Sequence, residues 1–176
     1  MMRKVVRLMA VTGALVLAAS TAAEAQGRKW FSVGGGMTMP TGDFKNEKEA
    51  KNGWMTGAAL GTGIGSGNLF VMAKGFYGKN DSDHHEGETM TLAGGSLNLG
   101  LMSRGEMARI YGYVGGGLQS YTNNEHEEDN ATGVLGNAAV GLSVGRGATR
   151  FWVQGGLAMN KTASYIPVMA GISIGF

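Results

Sequence analysis

Ile166-Pro-Val-Met-Ala-Gly-Ile-Ser-Ile-Gly-Phe176 is the stretch whose reading decides the fold. Ile166, Val168, Ala170, Ile172, Ile174 and Phe176 share one parity, against Met169, Gly171, Ser173 and Gly175 on the other. Successive side chains of a strand point to opposite sides, so a period of two describes a strand with two unlike faces. The same grammar runs backwards through the chain. Phe151, Val153, Leu157 and Met159 oppose Arg150, Trp152, Gln154 and Asn160. Val134, Ala138, Val140, Leu142 and Val144 oppose Asn137, Gly141 and Ser143, and Ile110, Val114 and Leu118 oppose Arg109, Tyr111, Tyr113 and Gln119. In the first half, Ala93, Leu97, Leu99 and Leu101 face away from Ser96, Asn98 and Gly100. Leu69, Val71, Ala73 and Tyr77 alternate with Phe70, Met72, Lys74 and Phe76; Trp54–Ile64 follows with a weaker pattern, and Phe31, Val33, Gly35, Met37 and Met39 open the series. Eight strands of about ten residues result, the length that a tilted membrane-spanning strand needs. No segment after residue 25 reads as a helix.

The connections differ in kind. Gly65–Asn68, Ser103–Glu106 and Gly145–Ala148 are tight, whereas Pro40–Gly53, Gly78–Thr89 and Thr122–Gly133 are long and charged; Asn160–Ser164 is short. Short turns at one end and long loops at the other are the asymmetry of an outer-membrane barrel, with turns and both termini in the periplasm. Phe31, Phe70, Phe151, Trp152 and Phe176 then fall at the turn end, and Trp54, Tyr77, Tyr121 and Tyr165 at the loop end, which reads as two aromatic belts. Eight strands leave an interior that side chains can fill. Tyr111, Tyr113, Trp152, Phe70 and Phe76 are candidates to fill it, with Gly34, Gly36, Gly94 and Gly115 leaving room opposite, so the reading is a lumen plugged by side chains. The inward Lys74, Arg109 and Arg150 are expected to pair with Asn98, Gln119 and Gln154, since buried charges need partners.

Composition agrees with a closed wall. Glycine, 32 of 176 residues, exceeds twice the usual ~7% share. Charged residues are 16%, against a usual ~25%. The absence of cysteine excludes a disulfide scaffold and any thiolate site. At the N-terminus, Arg3, Lys4 and Arg7 precede the apolar run Leu8–Ala19 and a small-residue stretch ending Ala23-Glu-Ala25. This is the grammar of a cleaved signal peptide over residues 1–25, too short to be a spanning helix. With residues 1–25 removed, twelve basic and twelve acidic residues remain at 26–176. No nucleic-acid footprint is left.

The terminal residues carry a resemblance. Gly171, Ile174 and Phe176 resemble the C-terminal signal that the barrel-assembly machinery reads in outer-membrane barrels, with Met169 departing from its usual polar first position. Val33-Gly-Gly-Gly with Pro40-Thr-Gly-Asp-Phe44 resembles the first strand and loop of the small outer-membrane β-barrel domain family, whose architecture is like that of the OmpA and OmpX barrels. The resemblance implies an all-β, eight-stranded antiparallel up-and-down transmembrane barrel over 26–176, in the outer membrane. It implies outer-membrane lipid and the assembly machinery as partners, and no particular task, because function lives in sites and not in folds.

Site chemistry is sparse. Asp81, Asp83, His84, His85 and Glu86 in one loop and His126 in the next combine oxygen and imidazole ligands that suit divalent cations. They lack the spacing of a calcium loop, and two solvated acidic loops account for them. Gly61-Thr-Gly-Ile-Gly65 lacks the helix and lysine of a nucleotide loop. A serine hydrolase needs a histidine beside its serine, and all three histidines lie in loops. The resulting expectation is a non-enzymatic barrel without cofactor or metal, serving envelope integrity or adhesion through an extracellular ligand of its acidic loops. The alternatives are a secreted lipocalin-like barrel with an apolar ligand inside, which would need a polar exterior, and a lipid-modifying barrel enzyme.

Overall fold

The computed structural model describes residues 29–46, 49–65, 68–82, 87–124 and 130–176; residues 1–25, read above as a signal peptide, lie outside them. Eight strands follow one another: β1 (Lys29–Thr41), β2 (Gly53–Gly63), β3 (Leu69–Asp81), β4 (Thr89–Met102), β5 (Ala108–Asn123), β6 (Ala131–Val144), β7 (Thr149–Met159) and β8 (Ser164–Gly175). Each pairs antiparallel with its neighbour in sequence, and β1 pairs with β8 from Trp30↔Gly175 to Thr41↔Ser164, so the sheet closes on itself. Closure leaves no edge strand with unpaired backbone groups.

The alternation sorts the side chains as its period predicts. Val33, Leu60, Val71, Leu99, Val114, Val140, Val153 and Val168, one from each strand, are all exposed. Among the described residues, large apolar side chains on the outer wall outnumber the apolar residues buried inside. A protein with a water-facing wall rarely exposes a continuous apolar patch beyond a few hundred Å². At the turn end, Phe31, Phe151 and Phe176 lie on this wall, and at the loop end Trp54 and Tyr77 do, with ring centroids 5.8 Å apart.

Four residues read as belt members are not on the wall. Phe70, Tyr121 and Tyr165 are buried and Trp152 is half-buried, all facing the lumen. Parity and not height along the strand sets the face: Tyr121 shares the inward parity of Gln119, and Tyr165 that of Met169. Two further departures concern the loop end. The ladder runs on past the tyrosine of β3 to Asp81↔Thr89, and β5 continues to Asn123, so the loops there are shorter than composition suggests. A short helix, α1 (Gly42–Asn46), sits in the first of them and buries Phe44 edge-on against Tyr121, with centroids 5.9 Å apart.

Inside, each of five large rings lies directly across from a glycine on the next strand. The pairs are Trp30↔Gly61, Phe70↔Gly100, Phe76↔Gly94, Tyr111↔Gly141 and Trp152↔Gly171. A Cβ added at Gly61 would come within 2.2 Å of the Trp30 ring, at Gly100 within 2.3 Å of Phe70, and at Gly141 within 2.4 Å of Tyr111. Trp152 is received by two glycines, since Gly34 pairs with Gly171 and its Cβ would meet the same ring at 2.5 Å. Of the glycines expected to leave room, Gly34 and Gly94 do so for rings and Gly115 for Asn98, whereas Gly36 approaches the backbone at Val168. Outside the strands glycine serves by its dihedral freedom: Gly65 and Gly147 at the turns hold φ of +59° and +68°, a region that disfavours other residues.

Candidate functional site

Three regions of the barrel concentrate polar side chains: the loop-end mouth, the lumen and the turn-end mouth. At the loop end, Phe44 and the bridge between Ala50 and Ser82 fold the first loop over the opening. Asn80 fastens it by donating to Thr38 Oγ1 and to the Lys51 carbonyl, each at 2.8 Å. Glu88, buried, accepts from Asn123 Nδ2. Of the candidate metal ligands, Asp81 is exposed at the end of β3 with its carbonyl accepting from Lys51 N–H at 2.8 Å. Asp83, His84, His85, Glu86 and His126 lie outside the described residues. Among the described residues no three histidines or acids gather as a metal site.

The lumen beneath divides into layers. Next to the loop end, Met55, Met90, Leu92, Leu135, Tyr165 and Met169 pack with Phe44 and Tyr121 as an apolar core, into which Gln119 projects, accepting from Tyr165 Oη at 3.0 Å and donating to the Ala163 carbonyl. The alternation pattern of the sequence placed Met169 on this face but passed over Met55, Met90, Leu92 and Leu135; the buried parity of Met90, Leu92 and Leu135 follows from that of Ser96 and Asn137. A polar belt comes next. Asn98 and Asn137 both donate to Ser96 Oγ, at 3.1 and 3.3 Å. Tyr111 Oη donates to Gln154 Oε1, and Gln154 Nε2 to Tyr113 Oη, each at 3.2 Å.

The inward cations pair with none of the expected amides, which are taken by these bonds. Lys74 reaches only Met169 Sδ, at 4.0 Å. Arg109 donates from Nε to the Gly105 carbonyl at 2.8 Å. Arg150, buried, grips the neighbouring turn: its guanidinium donates to Ser143 Oγ at 3.1 Å and to the carbonyls of Glu106 and Met107 at 3.0 and 3.2 Å. These carbonyls belong to a turn remote in sequence, so no residue pattern announces the contact. Arg109 and Arg150, with Lys29 and Arg104, line a vestibule of about 750 Å³ at the turn end, where Glu106 is the one acidic side chain.

The residues that resemble a C-terminal assembly signal in sequence take distinct places. Gly171 receives Trp152 inside, Ile174 and Phe176 are exposed on the outer wall, and Phe176 N–H donates to the Lys29 carbonyl at 2.9 Å, adding a bond across the β1–β8 seam.

No family model matches the sequence, and no curated protein matches it either. Solved structures do. Neisserial surface protein A superposes with a TM-score of 0.63 over 85% of this chain and 97% of that one, at 9% identity. The N-terminal β-barrel domain of Pseudomonas aeruginosa OprF gives 0.56 over 86% of this chain and all of that one, at 14% identity. The Yersinia pestis attachment invasion locus protein Ail, solved with the heparin analogue sucrose octasulfate, gives 0.57 at 11% identity over 85% and 97%. With this register, this closure and these likenesses, the chain has the fold of the small eight-stranded outer-membrane β-barrels.

Proposed function

We propose that the protein is a non-enzymatic resident of the outer membrane that presents its loop end outward and holds its lumen closed with side chains. The observation that carries this reading is the wall: apolar side chains exposed on all eight strands of an edgeless barrel. Such a wall suits lipid, and it is the reverse of the polar exterior that a lipocalin-like barrel needs. Residues 1–25 are then the export signal, both termini are periplasmic, and Gly171, Ile174 and Phe176 address the chain to the assembly machinery. The layer of Phe44, Tyr121, Leu92, Leu135 and Tyr165 supports a plugged lumen.

The loop end supplies the surface role. Asp81, Asp83 and Glu86 of one loop and Glu125, Glu127, Glu128 and Asp129 of the next are acidic. Ail is solved with a sulfated sugar; these two loops carry the same negative sign as that sugar, so a cationic surface partner fits them instead. The outer-membrane enzyme PagL also shares the fold, with a TM-score of 0.50 at 10% identity. The three histidines fall in the acidic stretches 81–86 and 125–129 of the sequence, and none of the described strand residues is a histidine; a serine hydrolase needs a histidine beside its serine, which favours the non-enzymatic reading.

The sequence has no cysteine, so single-cysteine labelling tests the orientation cleanly. In intact cells, His126→Cys should react with a membrane-impermeant maleimide, and Arg146→Cys only after the envelope is permeabilised. The reverse pattern would overturn the orientation and the loop role with it. Removal of Phe176 should leave unfolded chain in the periplasm; normal insertion without it would remove the signal assignment.

A further inference from the structure

The lumen carries charge of one sign. Among the described strand residues facing it, Lys74, Arg109 and Arg150 are cationic and none is acidic. Glu88, the one buried acid, precedes β4 at the far loop end and is bonded to Asn123. Midway along the barrel lies a cavity of about 70 Å³ whose lining includes Lys74, Tyr113, Trp152 and Gln154, and Lys74 is its only charged residue. A half-buried ammonium with no anionic or oxygen partner is costly, and a thioether at 4.0 Å is a weak acceptor.

The same cavity gathers further undonated hydrogens. Trp152 Nε1 is buried with no acceptor, and an indole nitrogen is a donor only. Tyr113 Oη already accepts from Gln154, whose own carbonyl oxygen takes Tyr111, so the Tyr113 hydroxyl proton is left over. The Lys74, Trp152 and Tyr113 side chains, each with a hydrogen not donated to an oxygen, therefore surround a cavity that has no carboxylate. About 10–15 Å³ of such space holds a water, so the cavity has room for a small anion together with water. The cavity adjoins the turn-end vestibule where Arg109 and Arg150 stand: Trp30, Phe70, Met102, Ser143 and Ser173 line both. On the other side the apolar layer beneath Phe44 closes it.

From this arrangement we infer that the mid-lumen cavity is a binding site for a small monovalent anion of the chloride class, held by the Lys74 ammonium and the Trp152 indole N–H and reached past Arg109 and Arg150. The site lies beyond the surface role proposed above and stands whether or not the loops bind a partner.

Crystals of the folded full-length barrel grown in sodium bromide should show one anomalous peak within hydrogen-bond reach of Lys74 Nζ and Trp152 Nε1, missing in Lys74→Met. In solution, the thermal midpoint of the folded barrel should be higher in chloride than in gluconate at equal ionic strength. Lys74→Met should erase that difference, and Lys74→Arg should keep it. A wild-type map with only water at Lys74, or bromide confined to Arg109 and Arg150, overturns the inference, as does a midpoint indifferent to the anion. Should Lys74→Met fail to fold, the wild-type bromide map decides alone.

Discussion

A ring covers the inner face of Gly61. The three atoms nearest to an added Cβ all belong to Trp30, the closest at 2.2 Å, with no backbone among them. Glycine in a strand interior ordinarily weakens the sheet, and a ring laid over it replaces the missing side chain and covers the bare backbone. Gly155, by contrast, has open space where its Cβ would stand. Gly61→Ala should therefore cost about 1–3 kcal/mol by overpacking, whereas Gly155→Ala should stay within about 0.5 kcal/mol of the parent. Urea unfolding from lipid vesicles measures both. Because the nearest obstacles all belong to the indole, Trp30→Leu should absorb most of the Gly61→Ala cost, giving a coupling on the order of 1 kcal/mol in a double-mutant cycle. Additive effects would show that the glycine serves the backbone instead.

At the scale of elements, Arg150 joins β7 to the turn between β4 and β5. Its guanidinium reaches two carbonyls of that turn and the Ser143 hydroxyl of β6. A planar fork is needed to serve three acceptors, and an ammonium cannot reproduce it. Arg150→Lys should cost about 1–3 kcal/mol in the same unfolding assay. Amides of residues 103–107 should exchange faster while those of β2 and β3 are unchanged. Contacts of this kind set the limit of what the sequence discloses. Strand number, order and the outward face are legible because apolar alternation is local: Ile166 to Phe176 needs no knowledge of its neighbours. Tyr121 and Tyr165 were misplaced because height along a strand was allowed to outweigh parity, which the same alternation supplies. The five-residue helix α1 gives no periodic signal, and its position comes from Phe44 meeting Tyr121. The expected amide partners of Lys74, Arg109 and Arg150 failed because the hydroxyls of Ser96, Tyr165, Tyr111 and Tyr113 already hold those amides. Of the candidate metal residues, only Asp81 falls among the described residues, where it ends a strand.

For the whole molecule, the decisive property is that the surface and the core have exchanged roles. Val114 is exposed at mid-height on β5, paired with Leu99 and Ala138 on the two adjacent strands. A charge there meets hydrocarbon if the wall faces lipid. Val114→Arg should then cost about 2–4 kcal/mol, the penalty for arginine near the bilayer midplane, when folding is measured into vesicles. An equal stability for the variant would place the wall in water. The claim that the barrel lives in the outer membrane is tested most directly by fractionating cells and running the membrane fraction unheated and boiled on a denaturing gel. The account predicts the protein in the outer-membrane fraction, with a mobility that changes on boiling as the closed barrel opens. A protein recovered wholly in the soluble periplasmic fraction would contradict it.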